Sequence, residues 1–140
     1  MTGGFGRSWG IAKNQQSSLD DVLRNVHDDG LSFSEWLRQR MDMLDIPRRG
    51  VFYRAQLDRV YGYQIVSGIR KGSRDKLIQL AMGMGMNIDL TCELLERAGY
   101  AALRPYKTRD AYIAYCISHY GTVVQCNQLL TDAGLEPLYK

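Results

Sequence analysis

An internal repeat near the C-terminus constrains the fold of this chain more than any other feature. The segment Ser73–Leu103 aligns without gaps onto Thr108–Leu138, a shift of 35 residues. Each unit begins at a serine or threonine that can cap a helix N-terminus, and each ends in Ala-Gly, a frequent close of a helix C-terminus. Apolar residues recur at helical spacing in between. We therefore expect each unit to be a helical hairpin and the two hairpins to form one extended helical body.

The rest of the chain predicts further short helices, which makes the expected fold all-α. Residues 1–16 are rich in glycine and lack helical periodicity, as is typical of a flexible N-terminal arm. Residues 17–30 predict a short helix that ends at Asp-Asp-Gly. Residues 31–107 predict a helical domain that opens with a capping box, a Ser32–Glu35 pair. Residues 108–140 form the C-terminal hairpin, the repeat of 73–103.

The segment Ile46–Leu80 predicts two short helices around a tight turn. The first helix covers about Arg48–Ala55 and the second about Asp58–Val66. A glycine-containing break then separates them from a third helix. This is the layout of a helix-turn-helix, in which the second helix lies in the major groove of DNA.

Positive charge is concentrated in this part of the chain. Residues 32–80 carry ten basic and five acidic side chains, a local net charge of +5, whereas residues 1–31 and residues 81–140 each carry −1. Such a distribution is typical of a surface that contacts phosphates. The alternative is that the arginines only solvate the outer faces of short helices.

Several residues of the second helix and its flanks are candidates for DNA contact. Arg59 can bond guanine through two nitrogens, and Gln64 can bond adenine in the same bidentate manner. Phosphates are commonly held at helix N-termini and in the loops between helices. The predicted DNA-binding residues are Arg48, Arg49, Arg59, Val60, Tyr63, Gln64, Arg70, Lys71 and Ser73. An inherited helix-turn-helix shape that binds protein remains an alternative, because Tyr53, Tyr61 and Tyr63 also suit a protein interface.

The run QLDRVYGYQIVSGIRKGSRDKLIQLAMGMGM resembles the core of lambda-repressor/Cro-type helix-turn-helix proteins. It is closer still to small clostridial-type regulators whose chains continue into paired C-terminal helices. The resemblance covers roughly Leu31–Leu138 and implies a five-helix DNA-binding domain that is usually dimeric on DNA.

The chain departs from the family pattern at three positions. Phe52 and Gln56 stand where the family usually has a small alanine and a turn glycine. Gly62 replaces a branched apolar residue. We expect Phe52 to face Gly62 across the two short helices, a large-for-small exchange that keeps the local volume.

Other chemistries find little support in the sequence. The three cysteines, Cys92, Cys116 and Cys126, form no CxxC pair and are expected to be buried reduced thiols, and we expect no metal site and no cofactor. No arrangement of residues typical of a catalytic site appears around His27 or His119, which argues against an enzyme. The glycine–methionine run 82–86 lacks the Lys-Ser/Thr ending of a phosphate-binding loop. No apolar run approaches a membrane span and no secretory pattern opens the chain, so a cytoplasmic protein is expected.

These observations lead to a hypothesis about function and to one alternative. The hypothesis is a DNA-binding transcriptional regulator that acts on double-stranded DNA as a homodimer. The dimer contact, or a contact with a protein partner, is expected on the second hairpin, where Cys126, Leu129 and Leu130 have little chain left to cover them. The alternative is a helical protein–protein adaptor that reuses the helix-turn-helix fold without binding DNA.

Overall fold

The computed structural model describes residues 18–19 and 28–140 of the chain. Over residues 28–140 it contains seven α-helices and no strand, so the expected all-α fold is confirmed for the part that the structure describes. The helices are α1 (Phe33–Asp42), α2 (Arg48–Arg54), α3 (Arg59–Ser67), α4 (Arg74–Gly83), α5 (Ile88–Arg97), α6 (Thr108–Ser118) and α7 (Val123–Asp132). The arm predicted at 1–16 and most of the helix predicted at 17–30 lie outside the described residues.

One apolar core runs through all seven of these helices. Its fully buried members include Leu37 of α1, Phe52 of α2, Ile65 of α3, Leu80 of α4 and Leu95 of α5. Ile113 of α6 and Leu130 of α7 belong to the same cluster. The second hairpin is therefore packed into the body formed by the first five helices, and the burial of these side chains is the main stabilising contribution to the fold.

The two repeat units have nearly the same backbone. The second helix of each unit, α5 or α7, starts and ends at positions that differ by 35 residues. Gly85 and Tyr120 occupy equivalent turn positions and both have positive φ, at 72° and 56°. Gly99 and Gly134, at 87° and 75°, close the two hairpins in the same way. The predicted hairpins are confirmed.

The start of the second unit differs from the sequence prediction. Ser73 caps α4, because its hydroxyl accepts a hydrogen bond from the Lys76 N–H at 3.2 Å. The equivalent Thr108 is not the cap of α6. That helix begins one residue earlier relative to the repeat, so Thr108 is already helical and Lys107 takes the cap position without a side-chain hydrogen bond.

Two crossed ion pairs join the hairpins at the start of α4 and α6. Arg74 donates to both carboxylate oxygens of Asp110 at 3.1 and 3.0 Å, and Arg109 donates to both oxygens of Asp75 at 2.9 Å. Each guanidinium also donates to two backbone carbonyls at the end of its own hairpin. Residue i of one unit thus contacts residue j of the other and the reverse, which is the pattern of a two-fold interface inside one chain.

The prediction that the last helix lacks cover within one chain is wrong. Cys126 and Leu130 are fully buried and Leu129 is half-buried. Helix α7 packs on α4 as well as on α6, and α5 packs on α6, so the first hairpin supplies the missing cover. Sequence length alone could not reveal this, since the cover comes from helices that precede the hairpin.

Candidate functional site

The turn between α2 and α3 is held by local backbone bonds and by one buried side chain from α4. Gln56 has a φ of 57°, the left-handed conformation that glycine adopts most readily. The Asp58 carboxylate caps α3 by accepting from the Tyr61 N–H at 3.1 Å. Gln79 is completely buried, and its amide donates to the carbonyls of Ala55 at 3.0 Å and Gln56 at 3.3 Å.

The hydrogen bonds from Gln79 to the Ala55 and Gln56 carbonyls fix the direction in which α3 leaves the turn. The sequence analysis missed Gln79, because the sequence does not indicate which carbonyl a polar residue within an apolar stripe will bind. The Gln79 Oε1 atom is buried without a hydrogen-bond partner among the described residues.

A large-for-small contact sets the packing of α2 against α3. A Cβ atom placed on Gly62 would lie 2.6 Å from Cδ1 of Phe52, closer than real Cβ contacts allow. Phe52 is 1% exposed, and its ring meets the Tyr63 ring edge-on with the centroids 4.9 Å apart. The predicted face-to-face placement of Phe52 and Gly62 is therefore confirmed. The Phe52 ring thereby fixes the position of Tyr63 on α3, the helix that carries four of the candidate residues.

The outer face of α3 carries the side chains that the core does not use. Arg59 is exposed, Val60 is 65% exposed and Tyr63 is 43% exposed. Val60, Tyr63 and Gln64 also line a shallow surface groove of about 420 Å³. The other lining residues are Arg38, Arg48, Val66, Ser67 and Ile69. Four of the predicted residues, Arg48 among them, thus share one groove.

The predicted basic residues fall into two groups by their contacts. Arg48 donates to the Asp42 carboxylate at 3.0 Å, and the Lys71 ammonium lies 4.5 Å from the centroid of the Tyr100 ring. The side chains of Arg49 and Arg59 are exposed and form no hydrogen bond or ion pair with any other residue in the described ranges. The second group is therefore free to meet a polyanion, whereas Arg48 must share its charge with Asp42.

Two further predicted residues, Gln64 and Arg70, are tied to each other. The Gln64 Oε1 atom accepts a hydrogen bond from Arg70 Nε at 2.7 Å, and Gln64 is half-buried where an exposed side chain was expected. The Arg70 guanidinium also lies over the Tyr61 ring, 5.8 Å from its centroid. The bond to Arg70 uses one lone pair of Gln64 Oε1 and leaves the second lone pair and the amide N–H₂ group for a bidentate contact with adenine.

Arg38 is a residue of this surface that the sequence analysis missed. Its Nη1 atom donates to Ser34 Oγ and, at 3.1 Å, to the Val66 carbonyl. The Ser34 hydroxyl donates to the same carbonyl at 2.7 Å. Arg38 therefore joins α1 to the end of α3 and adds positive charge beside Val60 and Tyr63. The spacing of Ser34 and Arg38, one helical turn apart, was the available signal.

Ser73 and its loop are held by the first turn of α4 and by Tyr100, which follows the end of α5. The Ser73 hydroxyl accepts from the helix backbone and retains its proton as a donor. The Tyr100 hydroxyl donates to the Gly72 carbonyl at 2.7 Å, which anchors the loop between α3 and α4. Ser73, Arg70 and Lys71 thus lie on a fixed segment that follows the C-terminus of α3.

Chemistry other than electrostatic contact is not evident in the described residues. All three cysteines are buried, and burial raises the pKa of the Cys116 and Cys126 thiols, which makes these two thiols poor nucleophiles. No cluster of three or more His, Cys, Asp or Glu residues that could hold a metal ion occurs within residues 18–19 and 28–140. In the same ranges, every helix is too short or too polar to cross a bilayer.

Comparison with known proteins gives no relative for this chain. No family model, no curated protein and no solved structure matches it.

Proposed function

We propose that this protein is a sequence-specific DNA-binding transcriptional regulator of the lambda-repressor/Cro type, with α3 as the recognition helix. The observation that carries the proposal is the outer face of α3, where Arg59, Val60 and Tyr63 are exposed next to basic side chains. A short helix with exposed polar and apolar side chains, held on a buried scaffold, is suited to the major groove.

The proposed base contacts come from the exposed residues of α3. Arg59 lies at the first position of the helix, and in helix-turn-helix proteins it is the N-terminal residues of the recognition helix that contact base edges. Its two terminal nitrogens match the O6 and N7 acceptors of guanine. Val60 and Tyr63 offer apolar contact to a thymine methyl group. Gln64 contributes to the same face through the acceptor lone pair and the amide N–H₂ group that its bond to Arg70 leaves available.

The proposed phosphate contacts flank α3 on both sides. Arg48 and Arg49 lie at the start of α2, and Arg70, Lys71 and Ser73 lie in the loop before α4. Such contacts fix the position of the helix on the duplex without reading the sequence. The local charge of +5 over residues 32–80 supports this assignment, since the flanking segments are each −1. The same proposal includes that the protein binds DNA as a homodimer and that it is located in the cytoplasm.

One observation favours a second candidate, a helical adaptor that binds protein with the same face. The groove beside α3 is lined by Val60, Tyr63 and Ile69, and Ile69 is 75% exposed. Exposed aliphatic and aromatic side chains of this kind are also used at protein interfaces. The local charge of +5 over residues 32–80 favours DNA over this candidate.

A selection from random duplex DNA, followed by mobility shifts, tests the proposal. The protein is incubated with a random 20-base-pair library at several salt concentrations and the bound sequences are recovered. We expect a defined recognition sequence that the wild type binds more tightly than random DNA by about 1000-fold. Arg59→Ala should lose about 10- to 100-fold on this sequence and relax the preference at one base pair. Recovery of no common sequence, with weak binding to all duplexes, would favour the adaptor.

A further inference from the structure

The second hairpin presents a long surface without charge. Residues 111–131 contain no Asp, Glu, Lys or Arg, although the chain average of 24% would place about five charged residues in a segment of that length. Large apolar or aromatic side chains on this segment are nevertheless open to solvent. Tyr115 is 57% exposed, Tyr120 is 94% exposed and Val124 is 51% exposed. Loss of charge together with exposed aromatic side chains is the composition of an interface core.

This surface contains a groove with a volume of about 880 Å³. Its α6 side is formed by Ala111, Ala114, Tyr115 and Ser118, which recur at helical spacing on one stripe. Its opposite side is formed by apolar residues around the turn between α4 and α5. These are Met82, Met86, Ile88 and Leu90. Two charged residues of opposite sign, Arg54 and Asp89, also line it.

The internal repeat shows what is unusual about this stripe of α6. The positions 35 residues earlier are Leu80, Gly83 and Met84, and all three are buried. They are buried because α2 packs on that side of α4, so closely that a Cβ atom on Gly83 would lie 2.6 Å from the Val51 carbonyl oxygen. The equivalent residues on α6, Tyr115, Ser118 and His119, are exposed. A face that a helix covers in the first hairpin is therefore uncovered in the second.

We propose that a second copy of this chain covers the α6 face, in a symmetric contact of α6 with α6 of the partner. A two-fold contact needs a surface that is complementary to itself. The α6 face carries projecting rings, Tyr115 and Tyr120, beside a groove floored by small residues, Ala111 and Ala114. The rings of one copy can enter the groove of the other.

The absence of charge favours a second copy over an unrelated partner. Near a two-fold axis each residue meets its own counterpart, so any charge there would face an identical charge and repel it. Residues 111–131 avoid that repulsion completely. This assembly differs from the one expected from the sequence, because it uses the exposed face of α6 and leaves the buried stripe of α7 within its own chain.

The test is the mass of the full chain in solution, measured by light scattering after size exclusion at about 100 μM. We expect twice the single-chain mass of 15.9 kDa. Tyr115→Glu and, separately, Tyr120→Asp should each raise the dissociation constant at least about tenfold, because each brings two like charges together. Tyr106→Glu is the matched control, since Tyr106 is 70% exposed and lies outside the groove. It should leave the dimer intact.

Circular dichroism melts of all three variants check that folding is retained; each replaced side chain is exposed, so little change in melting temperature is expected. A wild type that is monomeric at this concentration would overturn the proposal. If deletion of residues 1–27 then produces a dimer, the chain's own N-terminal segment occupies the face. Equal weakening by Tyr106→Glu would also overturn the assignment of the surface. These measurements contain no DNA, so their failure is distinct from a failure of the proposed DNA binding.

Discussion

The contact between Phe52 and Gly62 gives the sharpest prediction about the free energy that packing of α2 against α3 contributes to folding. Phe52→Ala removes a fully buried ring and its edge-on contact with Tyr63, which should lower the free energy of unfolding by about 4 kcal/mol. Gly62→Ala inserts a methyl group 2.6 Å from the ring. Overpacking should cost about 2 kcal/mol and the better helix propensity of alanine should return about 1, for a net loss of about 1 kcal/mol.

The double mutant Phe52→Ala/Gly62→Ala tests whether the two residues are in contact, because the effects of contacting residues on the free energy of unfolding do not add. Without the ring, the new methyl group has room, so its helix propensity should recover about 1 kcal/mol of the loss caused by Phe52→Ala. The double mutant should then be destabilised by about 3 kcal/mol where additivity predicts about 5. Urea denaturation followed by circular dichroism measures all four proteins. Effects that add to within about 0.5 kcal/mol would refute the reasoning, because residues in contact should couple.

Three further predictions concern the two crossed Arg–Asp ion pairs, the turn between α2 and α3, and the buried cysteine thiols. Asp110→Asn should cost about 3 kcal/mol in urea unfolding and Asp75→Asn about 1, because Asp110 is the more buried carboxylate. Gln56→Val should cost about 1–2 kcal/mol and Gln56→Gly little, since φ is positive there. Burial raises the pKa of the Cys116 and Cys126 thiols above 9.0. The stability that these thiols contribute is therefore complete below pH 9.0 and is lost progressively as the pH rises from 9.0 through the raised pKa of the folded state. Alanine at both positions should flatten the alkaline fall in melting temperature.

Local signals in the sequence predicted most of the helices. The capping box Ser32–Glu35 and the Ala-Gly ends each depend on a few neighbouring residues, and the structure has all of them. The shift of 35 residues predicted both hairpins. The start of α6 was misplaced by one residue, because Thr108 matches Ser73 in the repeat but Lys107 takes the cap position.

Contacts between distant residues were harder to predict. The sequence analysis predicted no contact for the Arg-Asp pair at the start of each repeat, whereas the guanidinium of each unit reaches the carboxylate of the other. The burial of α7 and the exposure of one face of α6 likewise depend on how the two hairpins pack against each other. The spacing of apolar residues within a single hairpin does not determine that packing. The repeat did contain a signal. An Arg-Asp dipeptide occurs at the same position of both units, so the arginine of each unit can pair with the aspartate of the other when the units pack around a two-fold axis.

The candidate site shows the same division between local and distant information. The exposure of Arg59, Val60 and Tyr63 followed from helix periodicity, because the apolar positions of α3 are on the other side. The engagement of Gln64 by Arg70 and the place of Arg38 in the groove did not. Each depends on a side chain that crosses from another segment, over 6 and 28 residues of sequence.

The most direct test of the proposed function is an NMR titration of the isotope-labelled protein with the duplex recovered by selection. Amide shift changes should concentrate on α3 around Arg59, Val60 and Tyr63, with a second set at Arg48–Arg49 and in the loop 70–73. The α6 face around Tyr115 should not respond to DNA. Shift changes centred on α6 or α7, with α3 unaffected, would contradict the assignment of α3 as the recognition helix.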